Sequence, residues 1–330
     1  MKSVLITGGT GSFGNAMVHK LLGDDFQGRI VIFSRDEKKQ QDMRLRWPDK
    51  RVEFFIGDVR DLDALSTASR GMDVLIHAAA LKHVPTGEVH PGEVVATNIT
   101  GCFNVVKAAE HNRCAKVVCL SSDKSVYPVN AYGMTKAIAE KIVVAQKNNE
   151  YTVFSNVRYG NVLGSRGSVI PLWIRAMAEG KPFTVTDRAM TRFLLPLREA
   201  IDLVLHAIAD GKPGETFVRK SPACRLDTLA AALKQHFGKP NHPEKEIQVR
   251  PGEKMHETLI TSEEMARVSD LPNGMTVIRP YYAYTLNPEQ YEASLDFHRE
   301  DFTSGNAKQL NVAEVLELLK KSNCLEGETL

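Results

Sequence analysis

A glycine-rich turn near the amino terminus constrains the fold more than any other feature of this 330-residue chain. The apolar stretch Val4-Leu5-Ile6 is followed by Thr7-Gly8-Gly9-Thr10-Gly11-Ser12-Phe13-Gly14, and an amphipathic helix is predicted to continue to about Leu22. Glycines at this spacing let the backbone approach a pyrophosphate, whose charge the helix amino terminus stabilises. Because the turn lies between a first strand and a first helix, it predicts a dinucleotide-binding α/β fold.

Apolar, strand-like segments alternate with helical ones along the first half of the chain. This alternation predicts a Rossmann-type, doubly wound parallel sheet whose strand carboxyl ends line the cofactor crevice. We predict a dinucleotide-binding domain over residues 1–160, with a return segment near 195–220, and a smaller α/β substrate domain over most of 161–330. The predicted strands after the first are Ile30–Phe33, Val52–Ile56, Val74–Ile76, Val117–Leu120 and Val153–Val157, and the predicted helices between them are Leu62–Ala68, Pro91–Glu110 and Tyr132–Gln146.

The residues after the second strand bear on the choice of cofactor. Ser34 and Arg35, with Lys38 further on, offer a hydroxyl and cations to the 2′-phosphate of NADP. An acidic residue directly at this strand end would favour NAD, so we predict NADP, while Asp36 could still meet a ribose hydroxyl. Further cofactor contacts are predicted at the later strand ends, at Asp58, Val59, Ala78, Ala79, Ala80 and Lys82, and beyond them at Tyr132 and Lys136.

Four candidate catalytic groups follow the strand Val117–Leu120 within a short stretch of chain. Asp123 and Lys124 are predicted on the loop at the carboxyl end of that strand. Tyr132 and Lys136 lie four residues apart, and therefore on one face of a helix. A lysine ammonium one turn away favours the phenolate, so the tyrosine can act as a base near neutral pH.

Polar residues elsewhere are predicted to bind a substrate. The glycine-rich loop over residues 159–168 supplies amide, hydroxyl and guanidinium groups suited to a diphosphate or a sugar. The loop after the fourth strand should lie over the nicotinamide and the sugar. The predicted substrate contacts are Lys82, His83, Asn161, Arg166, Ser168, Arg192, Arg250 and Glu253.

Composition limits the partners and the setting. A formal net charge of +2 gives no reason to expect nucleic acid or an acidic membrane. The five cysteines lack metal-ligand spacing, so we predict no metal, and their odd number favours a reduced, cytoplasmic setting over a disulfide framework. No apolar stretch approaches the roughly 20 residues that span a bilayer.

The motifs together resemble those of an extended short-chain dehydrogenase/reductase. More narrowly, the chain is similar to the soluble, C5-inverting UDP-N-acetylglucosamine 4,6-dehydratases of bacterial surface-glycan and nonulosonic acid synthesis. Asp-Lys before the Y-x-x-x-K pattern distinguishes this group from ordinary epimerases and from dehydratases with an Asp-Glu pair. The matching motifs are TGGTGSFG (7–14), FSRDE (33–37), GDVRD (57–61), HAAALKHVP (77–85), SSDKSVYPVNAYGMTK (121–136), RYGNVLGSRGSV (158–169), TDRAMTRF (186–193) and RPGEKMHE (250–257).

The resemblance implies a division of chemical labour. Tyr132, helped by Lys136, removes the 4-hydroxyl proton, and NADP takes the C4 hydride and returns it to C6. Lys124 removes the C5 proton and replaces it on the opposite face, while Asp123 protonates the departing 6-hydroxyl. The product would resemble UDP-2-acetamido-2,6-dideoxy-β-L-arabino-hexos-4-ulose. A lysine that acts as a base must be neutral, so a lowered pKa is expected for Lys124 and a raised one for Asp123.

Two other functions use the same fold. A nucleotide-sugar 4-epimerase or reductase would need Tyr132 and Lys136 but not Asp123 and Lys124. A dinucleotide-sensing binding protein would commonly lack the tyrosine. The chain also resembles relatives that act in capsule synthesis, many of which carry methionine where Tyr132 stands here. The pathway therefore stays open between pseudaminic acid and a capsular amino-sugar. The helices Pro91–Glu110 and Tyr132–Gln146 dimerise in similar proteins, so we predict a homo-oligomer.

Overall fold

A nine-stranded sheet forms the centre of the computed structural model, which describes residues 1–146, 149–165, 167–249, 251–281 and 299–325. In order across the sheet the strands are β13-β14-β9-β6-β5-β4-β1-β2-β3. In these ranges the strands are β1 (Ser3–Thr7), β2 (Arg29–Ser34), β3 (Val52–Ile56), β4 (Val74–His77), β5 (Lys116–Leu120), β6 (Val153–Arg158), β7 (Phe183–Val185), β8 (Thr191–Phe193), β9 (Thr216–Arg219), β10 (Ala223–Arg225), β11 (Glu244–Glu246), β12 (Thr258–Ile260), β13 (Val268–Asp270), β14 (Met275–Ile278) and β15 (Phe302–Thr303).

The strands from β9 to β3 run parallel, whereas β14 pairs antiparallel with β9 and β13 antiparallel with β14. The predicted Rossmann-type parallel sheet is therefore confirmed. The later strands pair as β10 with β8, β11 with β7, and β12 with β15. The α-helices are α1 (Ser12–Gly23), α2 (Glu37–Arg46), α3 (Leu62–Ala68), α4 (Val84–Val89), α5 (Pro91–Val95), α6 (Gly101–His111), α7 (Ala131–Val144), α8 (Val169–Ala178), α9 (Leu197–Asp210), α10 (Leu226–His236), α11 (Ser262–Met265) and α12 (Val312–Lys321).

Side chains of the central strands divide between two cores because successive residues of a strand point to opposite faces. Val4 and Ile6 of β1 join the core that contains Val204 of α9. Leu5 joins the core on the other face, which contains Val105 of α6. Strands covered by helices on both faces read as continuous apolar runs, which is why the sequence pattern identified them.

A third core lies in the second half of the chain. It contains Trp173 of α8 and Phe183 of β7, whose rings stack at a centroid distance of 4.9 Å. Val315 and Leu319 of α12 are buried in the same core. Leu163, in the loop after β6, belongs to this core too, so the core anchors part of the chain at the carboxyl ends of the parallel strands.

The predicted helix Pro91–Glu110 is divided in the structure. A π-helical segment, Ala96–Thr100, separates α5 from α6. Within it Asn98 accepts from the backbone N–H of Leu81 at 2.8 Å and donates to Thr135 Oγ1 of α7 at 3.0 Å. The local change of helix geometry therefore places one amide side chain where it fixes both the loop after β4 and α7.

Within the described ranges, none of the helices has both the length and the apolar character needed to cross a lipid bilayer.

Buried His77 should make the fold sensitive to acid. Burial, with a contribution from the Lys136 charge, lowers the pKa of His77 to about 3. Between that value and the ordinary 6.5 the unfolded chain binds a proton that the folded chain does not. The free energy of unfolding is therefore fully retained above pH 6.5 and falls at lower pH, by up to about 1.4 kcal/mol per pH unit.

We expect His77→Gln to flatten this pH dependence. Urea unfolding of both proteins at pH 7 and pH 5 measures it, and the comparison with the wild type removes the contributions of other groups. If the wild type and His77→Gln lost the same free energy of unfolding from pH 7 to pH 5, His77 would not be the source of the acid sensitivity.

Candidate active site

The turn after β1 packs directly against the end of β4. Gly8 has φ +64°, and a Cβ added there would lie 2.7 Å from the Cα of Ala79. A Cβ on Gly14 would lie 2.0 Å from the carbonyl oxygen of Gly9, so the first turn of α1 rests on the glycine turn. Ala78, Ala79 and Ala80 are half-buried. The crevice thus has walls of backbone and small side chains, which fit a dinucleotide.

The side chains at the end of β2 have protein partners that the sequence does not indicate. Asp36 caps α2 by accepting from the N–H of Lys39 at 3.0 Å, and it also pairs with the Lys39 ammonium at 2.6 Å. The Asp36 carboxylate therefore has a structural role as a helix cap, which does not depend on a ribose hydroxyl. Ser34 Oγ is buried and lies 2.9 Å from Thr10 Oγ1, and Lys38 pairs with Asp42 on the surface.

Arg35 and Asp58 lie at neighbouring strand ends. Arg35 Nη1 approaches Asp58 Oδ2 at 3.4 Å, and Arg60 binds the same oxygen at 2.7 Å. The hydrogen bond from Arg60 is the main reason that the pKa of Asp58 is lowered. An adenine amino group would have to share this carboxylate with Arg60. Val59, next in sequence, is buried in the core.

The Asp123–Lys124 pair lies on a 3-10 turn, Asp123–Ser125, directly after β5. Asp123 is only 1% exposed, and its Oδ1 accepts from Ser122 Oγ at 2.9 Å and from Lys124 Nζ at 3.1 Å. Lys124 Nζ also lies 3.4 Å from Glu257 Oε1. The ammonium is therefore shared by two carboxyl groups from distant parts of the chain.

Burial and charge act differently on the members of this cluster. Burial is the main cause that raises the pKa of Asp123, and the nearby charge of Glu257 adds to it. Burial opposes the charge on Lys124, but Asp123 and Glu257 outweigh burial and raise its pKa. The prediction for Asp123 is confirmed, whereas the lowered pKa predicted for Lys124 is wrong, because the second carboxylate could not be located from sequence.

Tyr132 and Lys136 lie in the first turns of α7. Asn130 caps this helix by accepting from the N–H of Gly133 at 2.8 Å. Lys136 is buried, and its ammonium donates to the carbonyl of Leu120 at the end of β5. Burial, together with nearby Tyr132, raises the pKa of Tyr159, so the two phenols are neighbours. The helix thus brings Tyr132 to the same strand ends as the Asp123–Lys124 pair.

A cleft opens beside Lys124. Four buried acceptor oxygens in or next to it have no hydrogen-bond partner among the described residues: Asp123 Oδ2, Asn161 Oδ1, Glu253 Oε2 and Glu257 Oε2. Unpaired buried acceptors are rare in folded proteins, so this concentration indicates a site for a ligand rich in hydrogen-bond donors. The cleft is lined by Val84, Pro85, Lys124, Asn130, Asn161, Arg192, Pro251, Gly252, Glu253 and Glu257.

The predicted substrate residues are distributed unevenly around the cleft. Arg192 and Glu253 line it together with Asn161. His83 caps α4 through Nδ1, and the first two residues of that helix, Val84 and Pro85, line the cleft. Ser168 stands at the start of α8 with a buried hydroxyl that finds no partner in the described part of the chain. Arg166 and Arg250 lie outside the described residues.

Lys82 lies on the exposed loop after β4, where the neighbouring protein desolvates its ammonium group in part. This local burial, with repulsion from Lys124, lowers the pKa of Lys82. Lys254 is affected similarly: burial lowers its pKa although two carboxyl groups lie nearby, and its ammonium donates to the carbonyl of Val126. The cleft therefore holds several cations close together, an arrangement suited to a diphosphate.

Comparison with known proteins agrees with this architecture. A family profile described as "Polysaccharide biosynthesis protein" matches residues 4–279. A UDP-glucose 4-epimerase of Rickettsia bellii (strain RML369-C) is 46% identical, with 99% of this chain and 98% of the relative covered. The structure of Pen from Bacillus thuringiensis is 34% identical with a TM-score of 0.90, covering 98% of each chain. DesIV, a dTDP-glucose 4,6-dehydratase from Streptomyces venezuelae solved with NAD bound, shares the fold at 20% identity and a TM-score of 0.72, covering 77% of this chain and 86% of that one.

The fold and the site define an extended short-chain dehydrogenase/reductase. Within that class the chain belongs to the polysaccharide biosynthesis protein family, whose members are enzymes of the nucleotide-sugar dehydratase and epimerase type.

Gly133 of α7 packs so closely against the Asp123–Ser125 turn that the position has no room for a side chain. A Cβ on Gly133 would lie 2.2 Å from the carbonyl oxygen of Lys124 and 3.1 Å from Pro128 Cβ. We expect Gly133→Ala to separate the two elements, to lower the free energy of unfolding by about 1–3 kcal/mol and to slow nucleotide-sugar turnover. Urea denaturation and an activity assay measure the two effects.

Gly23→Ala is the matched control, because no atom lies within 4 Å of the added Cβ. A Gly133→Ala protein with wild-type stability and turnover would show that this packing is not needed.

Proposed function

We propose that this chain is a UDP-N-acetylglucosamine 4,6-dehydratase that uses NADP and inverts C5. Its product would be UDP-2-acetamido-2,6-dideoxy-β-L-arabino-hexos-4-ulose, a precursor of bacterial surface glycans. The observation that carries the proposal is the pair formed by buried Asp123 and half-buried Lys124, with Nζ to Oδ1 at 3.1 Å, beside the helix that carries Tyr132. Removal of water across C5 and C6 needs both an acid and a base, in addition to the tyrosine.

The pair can reach the required protonation state without solvent. Lys124 is held as an ammonium, while the pKa of Asp123 is raised by burial. Transfer of one proton from Nζ to the carboxylate, which it already contacts, gives a neutral amine and a carboxylic acid together. The amine is then a base for the C5 proton, and the acid can protonate the departing 6-hydroxyl as water.

The remaining proton steps use the same groups. Tyr132 takes the 4-hydroxyl proton, favoured by the Lys136 ammonium. Lys124 returns a proton to C5 on the opposite face, which inverts that carbon. At the end of the reaction Asp123 is a carboxylate and Tyr132 is a neutral phenol. Solvent carries the proton from Tyr132 to Asp123, which restores the starting state of both groups. The sum is loss of one water from the sugar, with no net change in the protein.

Residues at the strand ends would hold the cofactor. The 8–14 turn and the alanines after β4 would contact its phosphates and ribose. Ser34, Arg35 and Lys38 would meet the 2′-phosphate, which supports NADP because Asp36 is engaged as a helix cap. When bound, the dinucleotide supplies a hydride acceptor that returns the hydride within the same turnover.

We also propose that residues 1–160, with the return segment near 195–220, form the cofactor domain and that most of 161–330 binds the UDP-sugar.

A 4-epimerase is the second candidate, because relatives about 46% identical carry that name. Such an enzyme needs Tyr132 and Lys136 but no acid or amine at C5 and C6. The ion pair of Asp123 and Lys124, and the cost of burying the Asp123 carboxyl group, favour the dehydratase.

Incubation with UDP-N-acetylglucosamine in D2O, with no added cofactor, tests the proposal by proton NMR. We expect a new C6 methyl signal, replacement of the C5 proton by deuterium and an L-arabino coupling pattern. Dinucleotide released by denaturing the same preparation should be NADP. A C4 epimer alone would establish the second candidate, and a D-xylo pattern would refute inversion.

Lys124→Ala distinguishes the two candidates by mutation. We expect it to reduce dehydration by at least about 100-fold, as for loss of a general base. The dehydratase would be rejected if the wild type gave no C6 methyl signal and Lys124→Ala still interconverted the C4 epimers.

We also propose that the protein forms a homodimer through α6 and α7. Phe103 of α6 and Met134 and Ile138 of α7 are 43%, 51% and 49% exposed, respectively. Met134 and Ile138 are four residues apart and so share a helix face. These apolar side chains fit the same surface of a second copy.

Light scattering of the wild type should give a dimer or a multiple of it, and Ile138→Lys should shift the protein toward the monomer. A monomeric wild type would remove the proposal.

A further inference from the structure

Glu257 is the last residue of the RPGEKMHE motif and is not among the site residues predicted from sequence. In the structure it lies at the centre of the charged cluster around Lys124. It stands just before β12 and is 5% exposed at the side chain. Its backbone N–H donates to Ser304 Oγ at 2.8 Å, and that hydroxyl lies 2.6 Å from Thr191 Oγ1 of β8. Two hydroxyl side chains from separate segments therefore fix the position from which the carboxylate reaches Lys124.

We propose that Glu257 is a positioning residue of the active site: its buried carboxylate stays ionised beside Lys124, so that Asp123, and not Glu257, is the carboxyl group that takes the proton when Lys124 becomes a neutral amine. The inference rests on the proposed function for its catalytic meaning, but the arrangement of charges can be tested without substrate.

The geometry gives one ammonium to two carboxyl groups. Lys124 Nζ lies 3.1 Å from Asp123 Oδ1 and 3.4 Å from Glu257 Oε1. The second oxygen of each carboxyl is buried, and neither has a hydrogen-bond partner within the described ranges. Two buried carboxylates beside a single cation repel each other, which favours protonation of one of them.

The other cations decide which carboxyl stays ionised. Arg192 Nε lies 3.8 Å from Glu257 Oε1, and the charge of Lys254 also acts on Glu257. Burial opposes ionisation of Glu257, but Lys124, Arg192 and Lys254 together outweigh it and lower its pKa. Asp123 has only Lys124 and the Ser122 hydroxyl as direct partners among the described side chains. Asp123 is therefore the carboxyl group that accepts the proton from Lys124.

The groups that face the cluster come from four parts of the chain. The Asp123–Ser125 turn supplies the acid and the amine, β8 supplies Arg192, and the loop before β12 supplies Lys254. The loop after β4 adds Lys82, whose charge is disfavoured by Lys124. Among these groups Glu257 is the anion that binds Lys124 while also pairing with Arg192, so it couples the amine to the rest of the cleft.

Glu257→Gln preserves size and hydrogen bonding but removes the charge. Without that charge both Asp123 and Lys124 should lose protons at lower pH, because one loses a repelling anion and the other an attracting one. A bell-shaped kcat profile that needs protonated Asp123 and neutral Lys124 should then move as a whole to lower pH. We expect roughly a tenfold loss of kcat on the alkaline limb of the profile, with a smaller change below the optimum.

Two variants serve as controls. Glu257→Asp keeps the charge and should restore the position of the profile. Glu263→Gln removes an exposed carboxylate that pairs with Arg267 and should leave both the profile and kcat unchanged. A Glu257→Gln protein with reduced kcat but an unmoved profile would make Glu257 merely structural and overturn the proposal.

A second measurement needs neither substrate nor turnover. Carboxyl 13C NMR of aspartate-labelled protein, with the Asp123 signal assigned by Asp123→Asn, should show Asp123 titrating at lower pH in Glu257→Gln than in the wild type. Identical midpoints would overturn the proposal, and circular dichroism confirms that the variant is folded. If the wild type gave no C6 methyl while the Asp123 midpoint still moved, the proposed function would fail but the role of Glu257 in the charge arrangement would stand.

Discussion

One buried guanidinium joins the segments that carry the candidate active site. Arg158, at the end of β6, binds Glu140 of α7 at 2.6 Å and Glu264 of α11 at 2.8 Å. Glu140 also accepts from Ser125 Oγ, in the turn that carries Asp123, at 2.8 Å. The helix of Tyr132, the turn of Lys124 and the chain that follows Glu257 therefore meet at one side chain. Removal of a partner from such a buried pair typically costs about 3–5 kcal/mol, so the site depends on this network.

Much of the fold follows from patterns that are local in sequence. Strands buried on both faces are continuous apolar runs, and the glycine turn admits few alternatives because Gly8 and Gly14 touch backbone atoms. Asp123, Lys124, Tyr132 and Lys136 could be grouped because a single strand, turn and helix carry them. The antiparallel edge formed by β13 and β14 was not predicted, since their short segments have no periodic signal.

The incorrect prediction of a lowered pKa for Lys124 has a physical origin in a partner that is remote in sequence. Lys124 is held charged because Glu257 arrives from a distant segment, and no spacing rule links the two residues. Asp36 and His83 are predicted to contact ligands, and in the structure each also caps the helix that begins after it. Residues that form good ligand contacts are also good caps, so sequence alone does not separate the two uses.

The cleft combines two features that are costly in a folded protein. It concentrates several cations, and it leaves four buried oxygens without partners among the described residues, at about 1–3 kcal/mol each. A core of apolar residues in the same place would be more stable. A sugar that brings several hydroxyl donors, attached to a diphosphate that brings negative charge, would satisfy both features together. The scaffold can hold this unsatisfied arrangement because the Arg158 network and the sheet fix its walls, so binding need not pay to order them. The same rigidity explains how one fold can serve epimerases and dehydratases: the frame around Tyr132 is common, and the chemistry at C5 and C6 depends on which charged groups stand beside it.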